Sequence, residues 1–217
     1  MTRTVFRQEM NRLASLITNL GHLVESQIKD SVESLINADI QMAEDIINRD
    51  KELDELKLEI EDLCIKLLAL QQPMGPDLRF ITTILKIITD FDRMADRSRH
   101  ISEITLIVAK KPKENISKII SEMCEQTLKM VHKVMVCLEN KERESVEIVG
   151  EMDDVVDRYQ EQCFDTIVEH MRTHPQEIDI YVYILLVPRH LERIADHSTN
   201  IASRIIYMIK GERVKIN

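Results

Sequence analysis

Two short segments, DRMAD at residues 92–96 and ERIAD at 192–196, each place two acids four residues apart. On a helix that spacing puts both carboxylates on one face, about 6 Å from each other. Such a pair can take part in holding a cation, or it can be no more than solvated surface. The chain contains five acid pairs of this kind that end in Asp: Asp50/Asp54, Asp92/Asp96, Asp153/Asp157, Glu161/Asp165 and Glu192/Asp196. With 38 acids, 16 of them Asp, chance placement yields about three, so the number decides little.

Position decides more. In an antiparallel helical hairpin, residues equidistant from the turn stand at the same height. Asp54 and Asp92 are equidistant from Pro73, and so are Asp50 and Asp96. Asp157 and Glu192 are equidistant from the His174–Pro175 bond, and so are Asp153 and Asp196. Each hairpin therefore carries two rungs of facing acids. Glu161/Asp165 fails this test, because its mirror positions are Pro188 and Ile184; it reads as a solvated surface turn.

The later acids also border an apolar stripe, since Asp92 follows Ile88 by four and precedes Ala95 by three. Four partly desolvated anions raise one another's pKa unless something positive compensates. Arg93 and Arg193 are candidates, but each lies about 100° round the helix from the acid before it. A bound cation is the simpler compensation. Carboxylate oxygens suit Mg²⁺ or Mn²⁺, and added imidazole widens the choice to iron or zinc. His100 continues the face of Asp92 and Asp96 at four residues, and Asn200 does the same after Asp196, which makes both possible further ligands. The rival reading of His100 is a surface or capping residue. His22, His132, His170, His174 and His190 lack acidic company of this kind, and His197 adjoins Asp196 but faces another side.

Helices must position these groups. The 217 residues include only 4 Gly, 5 Pro and no Trp, while Leu, Ile, Met, Glu, Lys and Arg abound, a helical composition. Apolar residues recur at helical spacing, as in Leu78, Ile81, Leu85, Ile88, Phe91, Ala95 and Ile101. Breaks fall at NAD (37–39), QQPMGPD (71–77), KKPKEN (110–115), NKE (140–142) and THPQE (173–177). The pattern predicts an all-α chain of six helices, each roughly 25–35 residues, in up-and-down bundles. NADIQMAEDIINRDKELD (37–54) aligns with NKERESVEIVGEMDDVVD (140–157), and DFDRMADRSRHI (90–101) with HLERIADHSTNI (190–201). An internal repeat follows: two tandem antiparallel three-helix bundles, spanning 1–111 and 112–217.

The formal net charge is −9 and no basic patch stands out, which argues against direct nucleic-acid binding. No apolar run is long enough for a membrane span, and the N-terminal segment lacks a signal-peptide core, so the expectation is a soluble intracellular protein. The four Cys form no C-x-x-C pair and read as buried thiols.

The stretches LLALQQPMGPDLRFI and LKIITDFDRMADRSRHI, with LLVPRHLERIADHSTNIASRI in the second half, resemble the PhoU family over nearly the whole chain. The resemblance implies a homodimerising cytoplasmic regulator of the phosphate response. It would couple the ATPase subunit of a phosphate ABC transporter to a membrane histidine kinase, and reach the membrane only through those partners. It also implies metal, iron or zinc clusters in some members, at Asp50, Asp54, Asp92, Asp96, Asp153, Asp157, Glu192 and Asp196. Against the family pattern, Asp92 replaces Glu, Ala95 and Ala195 replace Gly, His100 replaces Asn, and Lys57 stands where many members have an acid. Pro188 should kink the sixth helix one turn before Glu192. The unequal first acids, Asp92 and Glu192, predict two unequal sites.

Two other functions compete. A di-metal carboxylate oxidase needs Glu-x-x-His pairs, and no His here follows a Glu by three; H-E-x-x-H and Walker motifs are absent too. A metal-independent helical interaction module would use the acids only for solubility or partner binding.

Overall fold

The computed structural model describes residues 3–140 and 144–212, side chains excepted at 3, 50 and 144–147. The described residues are all-α, in the order α1 (Arg3–Asn37), α2 (Ile40–Asn48), α3 (Asp50–Gln71), α4 (Pro76–Val108), α5 (Glu114–Asn140), α6 (Glu144–Thr173), a 3₁₀ turn (Pro175–Glu177), α7 (Ile178–Ile184) and α8 (Leu186–Lys210).

Local chemistry sets the ends. Asp39 caps α2, its carboxylate accepting from the Met42 N–H at 3.0 Å. Between α3 and α4, Gln72 and Gly75 take positive φ of 45° and 57°, and Pro76 opens α4 at a position where a missing N–H costs nothing. Ala109 and Gly211 end α4 and α8 in the left-handed conformation.

Two of the six expected helices are interrupted. The second divides at Arg49, whose N–H reaches the carbonyls of both Asp45 and Ile46 and whose guanidinium pairs with Asp30 on α1 at 3.0 Å. The low helix propensity of Asn48 and Asp50 on either side favours a break there. The sixth divides at Leu185. Pro188 has no N–H for the Ile184 carbonyl and its ring crowds that carbonyl, so the disruption falls about two turns before Glu192 rather than one.

The first three rods, α1, α2–α3 and α4, pack together, and so do α5, α6 and α7–α8. The repeats join through α4 against α8 and α1 against α5, leaving α3 and α6 at the outer flanks. Contacts run from Arg79 with Met208 to His100 with His190, so α4 and α8 are antiparallel. α1 shows how sequence builds this core: Leu13, Ile17, Leu20, Val24, Ile28, Val32 and Leu35 recur at three and four and are all buried. Burying each such side chain stabilises by about 1.5–3 kcal/mol. One hydrophobic core runs through both repeats. At the α1–α5 contact, a Cβ on Gly21 would lie 2.1 Å from the Met135 sulfur, so any larger residue there must displace the Met135 side chain.

Candidate functional site: two carboxylate clusters

Both candidate clusters lie on the hairpins, where a flanking helix meets a central one. In the second repeat, α6 supplies Asp153 and Asp157, and α8 supplies Glu192 and Asp196. The acids of the two helices act on one another's charge across the hairpin. Asp153 is half-buried, and its pKa is pushed up to about 6, first by desolvation and then by the charges of Asp157, Asp196, Glu192 and Asp154. Asp157 is raised by desolvation and by Asp196. Glu192 is raised by desolvation and by Asp196, with Arg193 opposing. Mutual repulsion in a partly dry site is the physical cause.

Arg193 corrects one expectation. It does reach the acids, with Nη1 2.9 Å from Asp196 and Nε 3.5 Å from Glu192. A long guanidinium side chain spans the angle that a helical projection puts between neighbours. Arg193 thus neutralises part of the α8 side. No described cation pairs with Asp153 or Asp157 on the α6 side.

The first cluster is built differently. Lys57 on α3 places its Nζ 2.7 Å from Asp92 Oδ1 on α4. The Lys57 pKa is raised by that hydrogen bond, against desolvation, and further by the charges of Asp92, Asp54 and Glu61. Asp96 lies 3.5 Å from Arg93 Nη1 and 3.8 Å from Arg99 Nη2. Asp54 is exposed, and the Asp50 side chain lies outside the described residues. Lys57 aligns with Gln160 in the second repeat, so the second cluster has no counterpart of this ammonium.

The possible extra ligands stand apart. His100 stacks on His190 across the α4–α8 contact, with ring centroids 5.4 Å apart. Burial, then His100, Arg97 and Arg189, lowers the His190 pKa to about 4. Asn200 is exposed. Glu161 and Asp165 are exposed, as expected of a surface turn. Among the described residues, no three Asp, Glu, His or Cys side chains converge on one point as a metal site would require. In the second cluster, a cation would have to draw the carboxylates together by rotamer changes.

Two polar groupings had no signal in the sequence. Asp90, buried on α4, faces α8, with Oδ1 3.2 Å from His197 Nδ1 and Oδ2 2.9 Å from Arg204 Nη1. Arg204 also donates to the Lys86 carbonyl. Near the connection between repeats, Glu177 holds His170 Nε2 and Lys110 Nζ at 2.8 Å each. These two hydrogen bonds, Lys110 first, lower the Glu177 pKa to about 2.

Comparison with known proteins agrees with this twofold layout. The model of the PhoU domain matches twice, at residues 17–105 and 120–205. The chain belongs to the PhoU family. It is 32% identical to the phosphate-specific transport system accessory protein PhoU homolog of Synechocystis sp., over 97% of this chain and 94% of that one. It is equally identical to the homolog of Clostridium acetobutylicum, over the full length of both. The crystal structure of PhoU from Pseudomonas aeruginosa superposes with a TM-score of 0.89 at 28% identity, covering 95% of this chain and all of the other. That of the phosphate transport system regulatory protein PhoU from Streptococcus pneumoniae gives 0.86 at 30%, covering 96% and 99%. In PhoU terms, the acids of DRMAD and ERIAD lie one in each matched domain. No described helix is long and apolar enough to cross a membrane.

Proposed function

We propose that this chain is a non-catalytic regulator of phosphate uptake. It would contact the ATPase subunit of a phosphate ABC transporter and a membrane histidine kinase, and repress the starvation response when phosphate is plentiful. The observation that carries this reading is similarity along the whole chain to accessory proteins of phosphate-specific transport. A homodimer working in the cytoplasm belongs to the same proposal. Deleting the gene should derepress phosphate-starvation genes in phosphate-rich medium. Unchanged repression in that strain would refute the role.

Metal binding at the second cluster is part of the proposal. Asp153, Asp157, Glu192 and Asp196 would hold a divalent ion, which supplies the positive charge their α6 side lacks. What supports this is a donor set of four carboxylates in which desolvation and neighbouring charge raise Asp153, Asp157 and Glu192; to share one ion their side chains would have to turn toward a common point. Oxygen donors suit Mg²⁺ or Mn²⁺, and the family resemblance favours iron or zinc. Converting the four acids to Asn or Gln should abolish metal uptake while leaving far-UV helicity intact. If partner binding also survives, the metal-independent interaction module is the better description.

A further inference from the structure

The geometry points to a division of labour between the repeats: the first cluster is closed by the chain's own cation, and only the second takes up a metal ion. This rests on the metal reading above and departs from the expectation that all eight acids bind metal. The first cluster does not fit a metal ion. Lys57 Nζ stands 2.7 Å from Asp92 Oδ1, across the hairpin between α3 and α4, where a bridging cation would otherwise join the two helices. Lys57 and Asp92 shield each other, with about a quarter of each side chain exposed, 27% and 28%.

The remaining acid of the α4 pair is also engaged. Asp96 faces Arg93 and Arg99, and Arg99 further pairs with Glu103. The first repeat thus sets three cationic side chains against Asp92 and Asp96. Among the described residues, the second sets one, Arg193, against Glu192 and Asp196. The difference traces to sequence: Lys57 and Arg99 in the first repeat, Gln160 and Thr199 at the aligned positions in the second.

An ammonium and a divalent ion compete for the same carboxylate lone pairs. The ammonium carries one charge, donates hydrogen bonds and is covalently held. A metal entering the first cluster must expel it into solvent and find donor atoms there that a protonated Lys57 cannot provide. The second cluster needs no such displacement on its α6 side, where Asp153 and Asp157 have no described cation partner. Two sites of related sequence therefore become a permanent ion pair and an exchangeable one.

Metal stoichiometry of the full chain tests this. The chain is loaded separately with Zn²⁺, Mn²⁺ and Fe²⁺ (the last without oxygen), dialysed and assayed by elemental analysis. Thermal shift and far-UV circular dichroism are recorded on the same samples. Asp92→Asn/Asp96→Asn should leave the wild-type stoichiometry unchanged, whereas Asp153→Asn/Asp157→Asn should abolish it. Lys57→Glu should gain at least one metal equivalent, lost again when Asp92→Asn/Asp96→Asn is added. A fall in stoichiometry in Asp92→Asn/Asp96→Asn with helicity intact would overturn the inference, as would a Lys57→Glu variant that folds and gains nothing. Unchanged stoichiometry in Asp153→Asn/Asp157→Asn would overturn it together with the second-cluster reading. A loss confined to the first-cluster variant would overturn the division of labour while leaving metal binding by the protein standing.

Discussion

Replacing Asp153 by Asn should stabilise the metal-free protein, an unusual result for a half-buried polar residue. In the folded chain the Asp153 pKa is pushed up to about 6 from the ordinary aspartate value of 3.8. The folded state then binds more protons than the unfolded state between these values, so stability falls as pH rises through that window. Above it the full penalty of keeping Asp153 ionised is present. A shift of about two units corresponds to about 3 kcal/mol as an upper figure. Water reaches a half-buried carboxylate and screens it, which brings the expected effect to about 1 kcal/mol. Asn keeps the size of the side chain and removes the charge that repels Asp157, Glu192 and Asp196. The midpoint of thermal unfolding should therefore rise by about 2–4 °C at pH 7.5 in chelator. At pH 3.5, where wild-type Asp153 is protonated in the folded state, the gain should vanish. Urea unfolding followed by far-UV circular dichroism at both pH values measures it. Saturating metal should reverse the order, because ligand at a hundredfold excess over Kd adds about 2.7 kcal/mol to a protein that binds it. A variant less stable than wild type at pH 7.5 in chelator, or one equally stabilised at both pH values, would refute the argument.

Other outcomes follow from other parts of the fold. Asp90→Ala should destabilise by about 3 kcal/mol, since it strips a buried carboxylate from His197 and Arg204; chemical denaturation measures this. Gly21→Val should cost about 1–3 kcal/mol by forcing Met135 and Phe91 away from α1, and Met135→Ala should recover part of the loss in a double-mutant cycle. Cys64, Cys124 and Cys163, whose thiol pKa values burial pushes up to about 12, should resist a thiol reagent at pH 8 until denaturant is added.

The grouping of the second-repeat acids could be anticipated because it depends on backbone: helical spacing sets which residues share a face, and hairpin symmetry sets height. Long side chains escape that projection. Arg193 reaches back to Glu192, the acid that the helical wheel sets it away from, and Lys57 crosses to Asp92 on another helix. Asp90 with His197 and Arg204, and His100 with His190, depend on how α4 lies against α8. That packing joins the repeats, and the symmetry of a single hairpin does not determine it. Pro188 announced a disruption, but its consequence appears upstream at Leu185 because the lost hydrogen bond belongs to the Ile184 carbonyl. The break at Arg49 had only a faint warning, the low helix propensity of Asn48 and Asp50, and the Arg49 contact with Asp30 on α1 that accompanies it lies far away in the chain.

The ion pair of Lys57 and Asp92 has a consequence for supply. A tethered ammonium keeps the same local concentration whatever the surroundings contain, because it cannot diffuse away. Chelation or scarcity cannot unload it. On the proposal above, the first cluster would therefore keep its compensating charge whatever the supply of metal ions.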